Sequence, residues 1–96
     1  MKSTEKNIPK SFDIGINHLS SRYRVITLLR VKDKLSYKEI AEKTNISEGE
    51  CRNIVYRAKK KLFKLDEMLS NHKNDAVSME DLIKRWKNVE IDGRYM

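Results

Sequence analysis

Apolar residues recur along much of this chain at the spacing of an amphipathic helix. Leu19, Tyr23, Ile26 and Leu29 follow one another at intervals of three or four residues, with arginines between them, which is the pattern of one buried helix face. No stretch alternates apolar and polar residues as a half-buried strand does, and the chain has only three glycines and one proline to interrupt helices. The sequence therefore predicts an all-α fold, whose first long helix runs from about residue 20 to residues 32–34.

Three later segments begin with a serine that is followed, three residues on, by an acidic residue. The pairs are Ser36 with Glu39, Ser47 with Glu50, and Ser78 with Asp81. Such a serine oxygen can accept a hydrogen bond from the third helical N–H, and a glutamate at that position can reach back to the serine N–H. These signals predict helices over about 37–43, 48–69 and 79–88.

The segment from residue 36 to residue 57 predicts a helix-turn-helix. A short helix ends at Lys43, a turn of three residues follows, and a longer helix starts after Ser47. Ala41 is the small residue where the two helices cross, and Asn45 tolerates the left-handed backbone conformation that the turn needs. The predicted apolar residues that fix the crossing are Ile40, Ile46, Cys51, Ile54 and Val55.

These elements give a predicted organisation of four parts. Residues 1–18 form a polar N-terminal arm whose few apolar side chains can pack against another element. Residues 19–69 form a small helical bundle that contains the helix-turn-helix. Residues 70–77 form a polar linker, and residues 78–96 add a C-terminal helix and tail.

The charge of the chain favours a polyanionic partner. Lysine and arginine number 21 against 14 acidic residues, and the excess is uneven, at +9 over residues 1–65 and −2 over residues 66–96. A concentrated positive surface favours nucleic acid over a membrane surface or an acidic protein, because each neutralised phosphate releases condensed counterions.

The composition argues against an enzyme and against a metal site. A chain of 96 residues is too short for a deep cleft between two lobes. The single cysteine, Cys51, excludes an internal disulfide, and His18 and His72 lie too far apart for zinc-ligand spacing. We expect no catalytic residues, no metal and no cofactor. The chain contains no apolar run long enough for a membrane span or a secretion signal, so we expect a cytoplasmic protein.

Four segments together resemble region 4 of the sigma-70 family, the promoter-recognising subunits of bacterial RNA polymerase. They are Leu19-Ser-Ser-Arg-Tyr-Arg24, Leu35-Ser-Tyr-Lys-Glu-Ile-Ala-Glu42, Ile46-Ser-Glu-Gly49 and Tyr56-Arg-Ala-Lys-Lys-Lys-Leu62. The resemblance covers about residues 19–65. It implies that the helix starting at Glu48 enters the major groove of the upstream (−35) promoter element, and that Val25, Leu28 and Leu29 bind the flap of the polymerase β subunit.

The resemblance also implies that this chain supplies only part of the functions of a sigma factor. A complete sigma factor needs a further domain that melts the downstream promoter element and binds the polymerase clamp, and 96 residues leave no room for it. We therefore expect a free-standing region 4, as in split sigma factors or phage late-transcription factors, with a second sigma-like subunit as partner.

The predicted recognition helix carries side chains suited to reading bases. Arg52, Asn53 and Tyr56 lie off the apolar stripe of this helix. Arginine can bond guanine, asparagine can bond adenine, and tyrosine can contact a thymine methyl or a phosphate. Tyr37 lies where the supporting helix would meet the DNA backbone. The predicted DNA-binding residues are Lys38, Lys43, Glu48, Glu50, Arg52, Asn53, Tyr56, Arg57 and Lys60.

Two groups of charged residues on this helix affect how it can bind DNA. Glu48 and Glu50 stand where the family often has neutral or basic residues; a carboxylate can accept from cytosine but repels phosphate. Further along, the basic run of Arg57, Lys59, Lys60, Lys61 and Lys64 is expected to be a solvated face, part of which contacts phosphate.

The C-terminal helix allows two interpretations. Leu82, Ile83 and Trp86 share one of its faces, which is either a structural extension of the domain or a docking surface for a partner. Two other functions remain open besides the sigma-like one. An autonomous helix-turn-helix regulator would dimerise through the C-terminal helix and bind a palindrome, and a region-4 mimic would act by protein–protein interaction alone, for which Glu48 and Glu50 are the best argument.

Overall fold

The computed structural model describes residues 9–71 and 78–93, which form five α-helices. The helices are α1 (Phe12–Gly15), which continues into a 3-10 turn (Ile16–His18), α2 (Ser21–Val31), α3 (Tyr37–Thr44), α4 (Glu48–Asn71) and α5 (Met79–Lys87). The prediction of an all-α bundle with a helix-turn-helix and an additional C-terminal helix is confirmed. Helix α4 extends two residues beyond its predicted end and includes the first two residues of the predicted linker; the remainder, with His72, lies outside the described residues.

Helix α4 forms the centre of the bundle, and α1, α2, α3 and α5 all pack against it. Its buried residues recur every three or four positions, so that one face of the 24-residue helix is covered along most of its length. They are Cys51, Ile54, Val55, Ala58, Lys61, Leu62 and Leu65. Every apolar member of this set has less than 2% of its surface exposed.

The core divides into two clusters along α4. The first half of α4 packs against α2 and α3, where Ile26 and Ile40 are buried beside Cys51, Ile54 and Val55. The second half packs against the N-terminal segment and α5. The buried residues of this second core cluster are Phe12, Ile16, Leu19, Ala58, Leu62, Leu65 and Trp86.

The described part of the N-terminal arm packs onto α4. Phe12 and Ile16 are each only 4% exposed. The backbone N–H groups of Lys10 and Ser11 donate hydrogen bonds of 2.8 and 2.7 Å to the Asp66 carboxylate. Since a carboxylate that accepts two backbone N–H groups fixes the chain direction, this contact places α1 beside the second half of α4.

Serine caps begin α3 and α5 as predicted. At α3, the Glu39 N–H donates to Ser36 Oγ (3.1 Å) and the Ser36 N–H donates to the Glu39 carboxylate (2.8 Å), which completes a reciprocal capping box. The bond from the Ser36 backbone is the main reason why the pKa of Glu39 is lowered. At α5, the Asp81 N–H donates to Ser78 Oγ (3.2 Å).

Thr27 gives a first prediction about stability. Its side chain in α2 is fully buried, and Oγ1 has no hydrogen-bond partner among the described residues. An unpaired buried hydroxyl destabilises the folded state. We therefore expect Thr27→Val, which replaces the hydroxyl by a methyl group, to raise the free energy of unfolding by about 1 kcal/mol, measured by urea denaturation.

The matched control is Thr44→Val. Thr44 Oγ1 donates to the Ile40 carbonyl at 2.7 Å, so the same substitution there removes a formed hydrogen bond and is expected to destabilise by about 0.5–1.5 kcal/mol. An equal loss of stability in both variants would show that the Thr27 hydroxyl is paired in solution.

Candidate nucleic-acid interface

The turn between α3 and α4 is the local structure that creates this candidate site. Asn45 adopts the left-handed conformation, with φ 64° and ψ 25°, and its N–H donates to the Ala41 carbonyl at 2.8 Å. An asparagine tolerates this conformation better than most residues with a side chain. The predicted role of Asn45 is therefore confirmed, and α4 starts after a link of three residues, 45–47.

Apolar packing fixes how α3 and α4 cross. Ile40 is fully buried in the first cluster, while Ala41 and Ile46 are partly buried against it. The Cys51 thiol is also buried and donates to the Ile46 carbonyl at 3.6 Å. Cys51 thus acts as a small core residue, as its place on the apolar stripe predicts.

The outer face of α4 carries the three side chains predicted to read bases. Arg52, Asn53 and Tyr56 are exposed, Tyr56 by 57%, and alternate along the helix with the buried stripe. Of the other predicted DNA-binding residues, Lys38, Lys43, Glu48 and Lys60 are exposed, and Glu50 and Arg57 are half-buried. The helix-turn-helix thus places all nine at least partly at the surface.

Both acidic residues at the start of α4 face an arginine. Glu50 Oε2 lies 3.3 Å from Arg22 Nη2 of α2, and Glu48 Oε1 lies 4.0 Å from Arg52 Nη2 one turn along α4. The expected repulsion between these carboxylates and phosphate is therefore offset by a neighbouring positive charge. This arrangement also corrects the predicted reciprocal cap at Ser47. The Glu50 N–H does donate to Ser47 Oγ (3.2 Å), but the Glu50 side chain turns to Arg22 instead of the Ser47 backbone.

The C-terminal segment lies against the cationic part of α4. Lys60 Nζ pairs with the Asp92 carboxylate at 3.2 Å and lies 5.0 Å from the centre of the Tyr56 ring. The hydrogen bond to Asp92 raises the pKa of Lys60, so the side chain keeps its charge. Asp92 is a residue that sequence analysis missed, because nothing in the local pattern places it beside Lys60.

Lys61 departs from its predicted place in a solvated basic run. Its side chain is fully buried beneath α5, with Nζ donating to the Lys87 and Val89 carbonyls and lying 5.3 Å from the centre of the Trp86 ring. The Trp86 indole N–H in turn donates to the Lys61 carbonyl at 2.6 Å. Carbonyl oxygens and an aromatic face can hold an ammonium group, so Lys61 fastens the end of α5 to α4.

Lys61 predicts a pH dependence of stability. Burial lowers the pKa of Lys61 from the ordinary value of 10.5, so the unfolded chain holds this proton more tightly than the folded protein does. The resulting destabilisation is fully present below the folded pKa and is relieved as the pH rises from there towards 10.5. We expect the protein to gain unfolding free energy relative to Lys61→Met over that interval, measured by urea denaturation at neutral pH and near pH 10.5.

Lys38→Met, which removes an exposed lysine, controls for the loss of one positive charge. A difference between the protein and Lys61→Met that stays constant with pH would contradict the burial of a charged ammonium group at this position.

Burial also decides between the two interpretations of α5. Leu82 is 4% exposed and Trp86 is fully buried, while Ile83 is partly buried against the same cluster. Since α4 covers the face that these residues share, their burial favours a structural extension of the domain over a docking surface. The residues predicted to bind polymerase lie on α2: Val25 is 47% exposed, and Leu28 and Leu29 are half-buried.

No group of three or more histidine, cysteine or acidic side chains within residues 9–71 and 78–93 is placed to hold a metal ion. None of the helices described is both long enough and apolar enough to cross a membrane.

Comparison with known proteins gives one family. The family model described as Sigma-70, region 4 matches residues 15–62, which run from Gly15 through the helix-turn-helix to the middle of α4. Searches of curated proteins and of solved structures find no match. The matched half of the chain contains the turn, the buried stripe and the exposed face of α4. This chain belongs to the sigma-70 region 4 family, a family of DNA-binding transcription domains.

Proposed function

We propose that this protein is a sigma-like transcription factor subunit that binds the upstream, −35-type element of promoter DNA and contacts RNA polymerase. The observation that carries the proposal is the exposed row of Arg52, Asn53 and Tyr56 on the second helix of a helix-turn-helix. That helix is the one which lies in the major groove in proteins of this architecture. Arginine and asparagine are the side chains that read guanine and adenine there through paired hydrogen bonds.

The neighbouring charges support binding to the DNA backbone. Lys38 and Lys43 on α3 are exposed, as is Lys60 on α4, and Arg57 is partly exposed. In this proposal they contact phosphates on either side of the groove and set the register of α4 without reading sequence. Glu48 and Glu50, each beside an arginine, accept hydrogen bonds from cytosine.

The DNA part of the proposal is tested by selecting binding sites from a pool of random duplexes and measuring affinity at two salt concentrations. We expect salt-sensitive binding and a selected consensus. Arg52→Ala should weaken binding to the consensus by about 10- to 100-fold, the loss of one good base contact. Arg85→Ala, which removes an exposed arginine from α5, is the control and should bind almost as the parent protein does. Equal affinity of the two variants for the consensus would refute the assignment of Arg52.

The polymerase part of the proposal concerns α2. Its exposed Val25 and the accessible edges of Leu28 and Leu29 would contact the flap of the β subunit. This contact needs an apolar surface on α2. A pull-down with core polymerase and with the isolated flap tests this contact. We expect Val25→Asp to abolish capture and Met79→Asp, at an equally exposed position on α5 (47% for both), to preserve it. Failure of the parent protein to bind either target, alone or with a candidate partner, would reject the contact.

The same experiments distinguish the competing functions. We propose that a second sigma-like subunit supplies promoter melting, and co-purification from the native host should recover polymerase together with that subunit. A dimer in solution that selects a palindrome would instead indicate an autonomous regulator. Capture of polymerase without any salt-sensitive DNA binding would indicate a mimic that acts through protein contacts alone.

A further inference from the structure

The ring of Tyr37 lies close to two arginines from different helices. Tyr37 is the first residue of α3. The Cζ atom of Arg30, on α2, is 4.5 Å from the centre of the ring, and that of Arg52, on α4, is 5.0 Å away. Both distances fall within the range of a cation–π interaction. One aromatic side chain therefore joins the supporting helix to the predicted base-reading arginine.

The Tyr37 ring is itself held in place. It is half-buried and packs against the first core cluster. Arg30 is also half-buried, and its Nη1 donates a hydrogen bond of 3.0 Å to the Leu35 carbonyl. The ring is thus held by the core residues beneath it and by the Arg30 guanidinium, which its own hydrogen bond to Leu35 holds in place.

Arg52, by contrast, has few other restraints. Its side chain is 59% exposed, and the nearest carboxylate oxygen within residues 9–71 and 78–93, on Glu48, is 4.0 Å away, which is longer than a charge-assisted hydrogen bond. A free arginine side chain loses about 2 kcal/mol of rotamer entropy when it is ordered. A ring that restricts Arg52 before DNA arrives removes part of that loss from the binding step.

We infer that Tyr37 is a positioning residue that orients Arg52 for base recognition, so that α3 contributes to sequence specificity as well as to phosphate contact. The inference rests on the proposed function of α4 as the recognition helix. It predicts that the aromatic ring of Tyr37, and not its hydroxyl, is the part that matters.

The first test uses the free protein and does not depend on DNA. The ¹⁵N order parameter of the Arg52 Nε–H group reports how far the side chain is restricted. We expect Tyr37→Phe to leave the order parameter unchanged and Tyr37→Leu to lower it. Equal order parameters in all three proteins would overturn the inference. Tyr37→Met provides a second non-aromatic replacement if Tyr37→Leu fails to fold, as judged by its circular dichroism spectrum.

The second test compares the selected duplex with a scrambled one. We expect Tyr37→Leu to reduce affinity for the selected duplex by about 3- to 10-fold, with little change on the scrambled one, and Tyr37→Phe to restore it. In an Arg52→Ala background, Tyr37→Leu should cause no further loss, because the residue acts through Arg52. Lys38→Ala, at the neighbouring exposed lysine, should weaken both duplexes alike.

The outcomes separate this inference from the proposed function. Absence of any sequence preference in the parent protein would reject the proposed function. The order parameters would still show whether Tyr37 restricts the Arg52 side chain. A sequence preference that Tyr37→Leu leaves unreduced, or that Tyr37→Phe reduces to the same extent as Tyr37→Leu, would overturn the role of the ring.

Discussion

Replacing Trp86 with alanine is expected to lower the free energy of unfolding by about 3–5 kcal/mol. The indole is fully buried in the second core cluster, and its N–H donates to the Lys61 carbonyl. Its loss leaves a cavity, a Lys61 carbonyl without its side-chain donor and a lysine ammonium without its aromatic neighbour. Since small domains are stable by only about 5–15 kcal/mol, this single change should remove a large share of the total.

The measurement is urea denaturation followed by far-ultraviolet circular dichroism, because Trp86 is the only tryptophan and its fluorescence disappears with it. Met79→Ala, at a position on the same helix that is 47% exposed, should change stability by less than about 0.5 kcal/mol. Trp86→Phe separates the hydrogen bond from most of the packing, since it keeps most of the ring volume and removes the N–H donor. Similar midpoints for Trp86→Ala and Met79→Ala would mean that α5 does not pack on α4 in solution.

Substitution of Gly15 by alanine is the second change with a large expected effect. A methyl group at Gly15 would collide with Leu62 Cδ2 and lie 3.0 Å from Leu65 Cδ2. Both leucines are fully buried, so a shift of either methyl group disturbs the packing of the second core cluster. Overpacking of this kind costs about 1–3 kcal/mol, and we expect Gly15→Ala to lower the free energy of unfolding by that amount.

Gly49 provides a control for the same substitution. It lies in the first turn of α4, where an added methyl group meets nothing within 4 Å. Alanine forms helices better than glycine, so Gly49→Ala should be neutral or stabilise the protein by up to about 1 kcal/mol. The two variants are compared by urea denaturation. Stabilisation by both substitutions would show that α1 does not approach α4 as closely as the structure places it.

Local sequence determined the helices and the turn of this protein. The serine caps at Ser36 and Ser78, and the left-handed Asn45, are formed as predicted. Caps and turns depend on hydrogen bonds between residues only a few positions apart, so the sequence contains all the information that they need. The same holds for the buried stripe of α4, because residues three and four apart share one face of any helix. The same periodicity places Arg52, Asn53 and Tyr56 outside that stripe.

The tertiary structure decided which of the charged side chains are exposed and which are buried or paired. Lys61 is buried under α5 although its neighbours in the sequence are equally basic, and the Glu50 carboxylate turns from its predicted cap to Arg22. The contacts of Lys60 with Asp92 and of Arg52 with Tyr37 likewise join residues 15 or more positions apart. No periodicity predicts such pairs, since the solvation of a charge depends on which other element packs beside it. The sequence by itself therefore determined the helix-turn-helix, and only the packing of α2, α3, α5 and the C-terminal segment around α4 decided how its charges are paired and oriented.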